Sequence, residues 1–161
     1  EIVEARKDTT VVIHPLVDDR RILPIEKRGE ILTAPPEFML IISYNPGYQS
    51  IMKDLKPSTR QRFVSLEFKY LEEGAETAIV AQESGVDPEL ARRLVKLGHM
   101  PRNLKERGLD DGASTRLLIH AGKLIRSGIA SREACRAAIT DTLTDDEEMQ
   151  IAMSEMVSSL F

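Results

Sequence analysis

The sequence predicts an α/β region followed by an all-α region, and two features of its composition support this fold class. Six of the eight prolines and all but one of the aromatic residues fall within residues 1–70, which also contain continuous apolar runs. Residues 71–161 are instead rich in Ala, Leu, Arg and Glu, with apolar positions at helical spacing. A strand-bearing segment followed by a helical segment indicates two subdomains, at residues 1–70 and 71–161.

Residues 2–17 are compatible with two secondary structures. The run of β-branched residues from Thr9 to Ile13 favours a strand by propensity. The same segment also carries apolar side chains at the spacing of a helical stripe, with Pro15 near its end. Local propensity alone leaves both structures open.

A β-hairpin is predicted for residues 21–34. Two apolar segments, 21–25 and 30–33, flank a polar turn at residues 26–29. Gly29 can adopt the positive φ that such a turn requires.

Residues 38–44 form a continuous apolar run, which favours a strand covered on both faces, as in a parallel sheet surrounded by helices. Asn45 follows this run and begins a turn with Pro46 and Gly47. Because ligands of open α/β sheets bind at the carboxyl ends of strands, Asn45 is a candidate for orienting a water molecule or a phosphate oxygen. Its common role as the first residue of a turn is the simpler interpretation.

Capping signals predict four or five short amphipathic helices within residues 71–161, which together form a small bundle. One helix runs from Glu72 to about Ser84 and ends at Gly85. The other helices begin at capping residues, which are Asp87 before Pro88, Ser114, Ser131, and Thr144 in a capping box with Glu147.

Composition excludes several classes of protein. The formal net charge is −4, so broad wrapping of nucleic acid is not expected, and no apolar run in the sequence is long enough to span a membrane. The single cysteine, Cys135, excludes a disulfide framework and a four-thiolate zinc site, and it fits a reducing cytoplasm. The chain begins with Glu1 rather than methionine and shows no signal peptide, so we interpret its start as a truncation or as following an unobserved N-terminal part.

Most of the chemically reactive residues have ordinary structural interpretations. None of His14, His99 and His120 has a second ligand at metal-like spacing, so we expect packing or surface positions and no metal site. Cys135 lies on the apolar face of a predicted helix, where a buried, inert thiol is expected. The sequence contains neither a Gly-x-Ser-x-Gly nucleophile motif nor a Gly-x-x-x-x-Gly-Lys-Ser/Thr phosphate-binding loop.

Two groups of basic residues are candidates for contacts with phosphate. Arg60 and Arg62 belong to a basic stretch with Lys53 and Lys56, and arginine can stabilise the charge that develops in phosphoryl transfer. Such stretches are more often solvated surface, and nucleic-acid binding is the least favoured alternative. Arg116 lies in the first turn of a predicted helix, where the macrodipole disfavours a cation by about 0.3–1 kcal/mol. A bound anion would offset that cost.

The order of these features resembles the second half of an AAA+ ATPase of the MoxR branch, and in particular the CbbQ/NorQ (NirQ) family. The similarity runs through nearly the whole chain. It includes the segments Glu1-Ile2-Val3-Glu4-Ala5-Arg6, Thr9-Thr10-Val11-Val12-Ile13-His14-Pro15-Leu16, Ile42-Ser43-Tyr44-Asn45-Pro46-Gly47-Tyr48-Gln49-Ser50, Lys53-Asp54-Leu55-Lys56 and Ser114-Thr115-Arg116-Leu117-Leu118.

The resemblance implies a fold and a set of site residues. The fold is the C-terminal part of an AAA+ αβα nucleotide-binding core, with the 21–34 hairpin as the pre-sensor insertion, followed by a helical lid. Glu1 would be the Walker B glutamate that polarises the attacking water, and Asn45 the first sensor. Arg62, or alternatively Arg60, would be the arginine finger that acts on the neighbouring subunit's nucleotide. Arg116 would be the second sensor. Residues 2–17 would then be helical.

The resemblance also implies an activity and partners. The intact protein would bind ATP and Mg²⁺, assemble into a ring of six subunits in the cytoplasm, and act as a chaperone together with a von Willebrand A domain protein. Its target would be an enzyme such as rubisco, which we favour, or nitric oxide reductase. The chain lacks the phosphate-binding loop and the Walker B aspartate, so we expect it to be inactive alone.

A non-enzymatic protein-interaction module is the alternative function. Its amphipathic helices would form a docking surface, with the methionines of the last helix, Met149, Met153 and Met156, as a flexible apolar groove. The core of a lid domain is the preferred interpretation of these same methionines.

Overall fold

The computed structural model describes residues 11–43, 56–103 and 112–161. The chain divides into two compact units, Glu1–Glu67 and Phe68–Phe161. We call them the first and the second unit and describe each separately.

The hairpin predicted for residues 21–34 is confirmed. Strand β1 (Ile22–Ile25) pairs antiparallel with β2 (Glu30–Thr33), in a register that places Ile22 opposite Thr33 and Ile25 opposite Glu30. A single 3₁₀ turn joins the strands and ends at Gly29, whose φ of 63° is the left-handed conformation that glycine adopts without strain.

Arg21 fixes the base of the hairpin. Its guanidinium group donates hydrogen bonds to the carbonyl oxygens of Pro35 (2.7 Å), Phe38 (3.1 Å) and Pro36 (3.3 Å). Arg21 also has a φ of 49°, a conformation that costs a residue with a Cβ roughly 1 kcal/mol or more. The charge-assisted bonds to three carbonyl groups offset this strain.

The strand predicted for residues 38–44 is wrong for the residues that the structure describes. Residues 38–43 form no strand, and the side chains of Met39 and Ile41 are 76% and 83% exposed. A strand is stabilised by ladder hydrogen bonds to a neighbour, and no described segment pairs with these residues. An apolar run indicates that a segment tends to be buried, but it does not indicate whether a neighbouring strand is present to pair with it.

The end of the segment 2–17 is helical rather than extended. Residues 11 and 12 are helical, and α1 (His14–Val17) follows directly, with Pro15 in its first turn. The helical alternative therefore holds for residues 11–17, against the β-propensity of the valines. A second short helix, α2 (Pro57–Arg60), begins with a proline at its first position, where no amide hydrogen is needed.

The second unit contains helices at the predicted places, but its capping signals hold only in part, since Ser114 makes no side-chain cap and Ser131 follows the cap residue Ala130. Asp87 caps the second of them by accepting hydrogen bonds from the backbone amides of Glu89 (3.0 Å) and Leu90 (2.9 Å), and Gly85 ends the first with a φ of 73°. The helices are α3 (Glu73–Ser84), α4 (Pro88–Arg102), α5 (Thr115–Arg126), α6 (Ser131–Cys135), a π-helical turn (Arg136–Thr140), α7 (Asp141–Leu143) and α8 (Glu147–Leu160).

The capping box predicted at Thr144 and Glu147 is wrong. The cap of α8 is Asp146, whose carboxylate accepts a hydrogen bond of 2.8 Å from the amide of Met149. Thr144 instead ends α7, and its hydroxyl accepts a bond of 3.1 Å from the amide of Asp146. A carboxylate satisfies the helix amides as well as a hydroxyl does and also interacts favourably with the helix dipole.

The core of the second unit lies where α3, α4 and α5 meet the π-helical turn and α8. Its largest fully buried apolar side chains include Leu94 and Leu118, each contributing about 1.5–3 kcal/mol by burial. Met153 of α8 is 3% exposed, and Met149 and Met156 pack against the same core. The methionine stripe of α8 is therefore part of the core, which removes the observation that favoured a methionine-lined docking groove.

Helices α3 and α5 approach each other closely at Gly122. A Cβ atom added to this glycine would lie 2.6 Å from Cβ of Ser84 and 2.7 Å from its hydroxyl oxygen. Gly74, which is also helical, has no atom within 4 Å of such a position.

We therefore expect Gly122→Ala to lower the free energy of unfolding by about 1–3 kcal/mol, because the added methyl group forces the two helices apart. Gly74→Ala is the matched control and should leave stability unchanged or raise it by up to about 1 kcal/mol. Urea denaturation followed by circular dichroism measures both. Equal stabilities for the two variants would contradict the close approach.

Candidate functional site

The arginine-finger candidates follow the buried residue Thr59 of α2. The hydroxyl of Thr59 lies 2.8 Å from Nε2 of His14, which belongs to α1. This hydrogen bond ties α1 to α2, so His14 helps to fix the segment that carries Arg60 and Arg62. In the first unit, His14 thus has a packing role, as its sequence context predicts.

Several charged side chains surround His14. Burial lowers the pKa of His14 below 6.5, and the positive charge of Arg62 lowers it further, whereas Asp18 acts in the opposite direction. His14 is therefore neutral at pH 7. Arg20 donates two hydrogen bonds to the carboxylate of Asp18, of 3.0 and 2.7 Å, and lowers the pKa of Asp18 to about 2. Lys56 and Arg20 also lower the pKa of His14, so cationic groups outnumber the anionic Asp18 around it.

The two finger candidates differ in how their side chains are held. The guanidinium group of Arg62 donates to the backbone carbonyl of Ser58, so it folds back onto α2. Arg60 is exposed, and its side chain forms no hydrogen bond or ion pair within the three described ranges. Of the two, Arg60 is the one whose guanidinium group is available to an external anion.

Arg116 is the second-sensor candidate and lies in the first turn of α5. Its side chain is exposed, and it too has no hydrogen bond or ion pair with the part of the chain that the structure describes. Ser114, the cap of α5, makes no side-chain hydrogen bond to the helix amides. The first turn of α5 therefore combines amides that lack a side-chain cap with a cation that is unpaired within the described residues, an arrangement suited to an anion.

A buried charge network, which the sequence did not reveal, lies behind this turn. Glu76 of α3 is fully buried. The guanidinium group of Arg102 donates two hydrogen bonds of 2.7 Å to its two carboxylate oxygens, and the hydroxyl of Thr115 donates a third of 2.6 Å. A signal for this network exists, because Glu76 shares one face of α3 with the buried residues Val80 and Ser84 at i+4 and i+8.

Arg102 extends the network to the segment before α5. Its Nε donates a hydrogen bond of 2.7 Å to the carbonyl oxygen of Ala113, and its guanidinium carbon lies 4.0 Å from the centroid of the Tyr70 ring. Nε2 of His99 lies 3.9 Å from Glu76 and is buried without a hydrogen-bond partner. The sequence context of His99 predicts a packing or surface position, and no sequence signal connects His99 with a carboxylate.

The Glu76 carboxylate remains charged despite its burial. Burial alone raises the pKa of Glu76, but the hydrogen bonds from Arg102 and Thr115 outweigh that effect, and the pKa falls below 4.5. A buried carboxylate that is paired in this way contributes to stability only while its partners are in place.

The remaining candidates fall into three groups. Glu1 and Asn45 lie outside the described residues, so their roles stay predictions. Cys135 is fully buried, and burial raises its thiol pKa to about 12, which makes it inert as a nucleophile at neutral pH. His120 is exposed, and the described ranges contain no cluster of three or more His, Cys, Asp or Glu residues suited to a metal ion.

Membrane insertion by a helix has no support in the described part of the chain. None of the helices there combines the length and the apolar character needed to cross a bilayer.

Comparison with known proteins matches both parts of the chain. Residues 76–160 match the CbbQ/NirQ/NorQ C-terminal family, and residues 1–63 match the AAA domain of the dynein-related subfamily. Protein CbbQ of Hydrogenophilus thermoluteolus is 54% identical over 161 residues, which cover 100% of the chain and 60% of that relative. Denitrification regulatory protein NirQ of Pseudomonas aeruginosa is 55% identical over 157 residues, covering 98% of the chain and 60% of the relative.

A third relative, protein NorQ of Paracoccus denitrificans, is 52% identical over 161 residues, again with 60% of the relative covered. The chain therefore spans about 60% of the length of each of these relatives. The sequence identity of the chain to each of the three relatives is nearly equal, so identity does not distinguish among these relatives.

The Glu76 network predicts acid sensitivity of the second unit. Because the pKa of Glu76 in the folded chain lies below its ordinary value of 4.5, its contribution to stability is complete above that pH and is lost as the pH falls through the folded pKa. We expect the free energy of unfolding, from urea titrations at several pH values, to fall less steeply below pH 4.5 in Glu76→Gln than in the unmodified chain.

The matched control is Glu83→Gln, which removes an exposed carboxylate from the same helix. At pH 7, Glu76→Gln should cost about 3–5 kcal/mol, because the buried charge of Arg102 loses its partner, whereas Glu83→Gln should have little effect. The prediction fails if the two variants show the same pH dependence.

Proposed function

Because the chain belongs to the CbbQ/NirQ/NorQ family, we propose that it is the sensing and lid part of an AAA+ ATPase that activates a target enzyme. The observation that supports this most directly is Arg116, an exposed cation with no side-chain partner in the described residues, placed in the first turn of α5. The helix macrodipole disfavours a cation there, and a nucleotide phosphate would offset that cost.

We assign the site residues as follows. Glu1 polarises the water that attacks the γ-phosphate, and Asn45 holds that water in place by hydrogen bonding. Arg60 or Arg62 reaches the nucleotide of the neighbouring subunit and stabilises the negative charge of the transition state. Arg116 contacts the nucleotide from the lid. Mg²⁺, when bound in the intact protein, would supply positive charge that stabilises the phosphate oxygens.

The guanidinium group of Arg60, which has no partner among the described residues, favours it as the finger, although the order of motifs favours Arg62. A finger must extend from its own subunit to a phosphate, and Arg62 would first have to release the carbonyl oxygen of Ser58. Arg62 would then contribute to the positive potential around the finger rather than contact the phosphate itself.

Two exposed apolar stretches support the view that this chain functions within a larger core. Met39 and Ile41 lie in the first, and Val64, Leu66 and Phe68 in the second, where the side chains are between 79% and 94% exposed. The second stretch alternates apolar and polar residues, as a half-buried strand does. We propose that both stretches are covered, in the intact protein, by the remaining portion that the relatives carry.

The proposed assembly follows from a finger that acts across a subunit boundary. We propose a ring of six subunits, in which each arginine finger reaches the nucleotide of the neighbouring subunit. ATP hydrolysis then moves the lid relative to the core. A von Willebrand A domain protein couples this motion to the target. Rubisco is the first target that we propose and nitric oxide reductase the second, with the ring acting as a cytoplasmic chaperone.

The 161-residue chain alone should neither bind ATP tightly nor hydrolyse it, because its sequence contains no phosphate-binding loop. Isothermal titration calorimetry with ATP and Mg²⁺ tests this, with the full-length protein as the positive control. Sub-micromolar binding by the isolated chain would contradict the proposed division of the site.

The finger assignment is tested in the full-length protein. Arg60→Ala should retain ATP binding and lose at least about 10³-fold in kcat, because a finger stabilises mainly the transition state. Arg62→Ala should lose less, and Arg132→Ala, which removes another exposed arginine, should hydrolyse ATP normally. Wild-type turnover in a variant that lacks both Arg60 and Arg62 would refute the assignment of a finger to this segment.

The choice of target is tested by reconstitution with ATP and the partner protein. Recovery of carboxylation by inhibited rubisco would support the first target. Recovery of nitric oxide reductase activity alone would instead support nitric oxide reductase as the target. If neither enzyme recovers activity, both proposed targets are excluded.

A further inference from the structure

We propose that Glu76 and Thr115 are positioning residues for Arg116: the buried carboxylate, acting through the threonine hydroxyl, sets the first turn of α5 so that the arginine faces the nucleotide. This inference rests on the proposed function, because it needs a nucleotide for Arg116 to contact. It adds residues that hold Arg116 in place without touching the nucleotide themselves, at positions that no sequence motif identifies.

The hydrogen bond from Thr115 to Glu76 is the central contact. Thr115 is the first residue of α5 and directly precedes Arg116. Its hydroxyl donates to the carboxylate over 2.6 Å, a short, charge-assisted bond. Since Glu76 is fully buried in α3, the bond fixes the beginning of α5 to a residue that has almost no freedom to move.

Arg102 holds the same turn from the other side. It is bound to both oxygens of Glu76, and its Nε donates to the carbonyl oxygen of Ala113, two residues before α5 begins. The side chain of Arg102 is only 6% exposed, so these bonds compete little with water. The turn is therefore held at residues 113 and 115 by one hydrogen-bond network.

The turn needs this external support because its own cap is weak. Ser114 makes no capping hydrogen bond with its side chain, so the hydroxyl that would normally fix the start of the helix does not do so. The backbone amides of Leu117 and Leu118 bond to the carbonyl oxygen of Ser114, the second at a long 3.4 Å. Without the network, the direction in which Arg116 extends would be poorly defined.

The first test measures the turn itself by amide hydrogen exchange in the 161-residue chain. Thr115→Val keeps the shape of the side chain and removes the hydroxyl, so the amides of Leu117 and Leu118 should exchange about tenfold faster. The amides of α4 should be unaffected. Thr77→Val is the matched control, since the hydroxyl of Thr77 donates within α3, to the carbonyl oxygen of Glu73.

The second test measures the function of the turn in the full-length protein. Arg116→Ala should raise the KM for ATP, and Thr115→Val should raise it in the same direction by about fivefold, with kcat changed less. The double variant should be no worse than Arg116→Ala alone, because Thr115 acts only through Arg116. If the Glu76→Gln variant folds, it should raise the KM for ATP in the same way. If that variant does not fold, Thr115→Val still provides the test.

The outcomes separate this inference from the proposed function. If the wild-type full-length protein does not bind or hydrolyse ATP, both are overturned. If it does, and the effects of Thr115→Val and Arg116→Ala on KM add, the positioning role alone is overturned. Unchanged exchange at Leu117 and Leu118 would also overturn it.

Discussion

The structure of the second unit depends on a charge that has been removed from water. Glu76 is fully buried, and a carboxylate in that position is tolerated only because Arg102 and Thr115 together supply three hydrogen bonds to it. Apolar packing would hold α3, α4 and α5 together in many orientations of similar energy. The directional bonds around Glu76 select one of them, and they determine where α5 begins.

The first unit uses the same principle on a smaller scale. The side chain of the buried residue Thr59 forms a hydrogen bond with His14, which lies 45 residues earlier in the chain. This bond connects α1 to α2, which ends at Arg60 and is followed by Arg62. In both units, a threonine hydroxyl thus links a segment that carries candidate arginines to a partner on another helix, while the arginines themselves remain exposed.

The sequence predicted the elements whose signals are local. Asp87 and Gly85 specify a helix start and a helix end through bonds to residues only a few positions away, and Gly29 specifies a turn in the same manner. The strand predicted for residues 38–44 was wrong for the described residues 38–43, because strand pairing requires a distant segment that an apolar run does not identify. The network around Glu76 was missed because its partners are 26 and 39 residues away. Arg60, Arg62 and Arg116 are candidates from local charge and helix position, and the order of motifs gave them roles, but neither indicates how each side chain is held.

The hairpin base has a further consequence for how this protein can diverge. Arg21 binds residues 35–38 through their main-chain oxygens, which every amino acid possesses. Replacing the side chains there leaves the three acceptors intact. The segment that follows the hairpin can therefore change its side chains by mutations that do not loosen the base of the hairpin. Arg21 alone has little freedom to be exchanged.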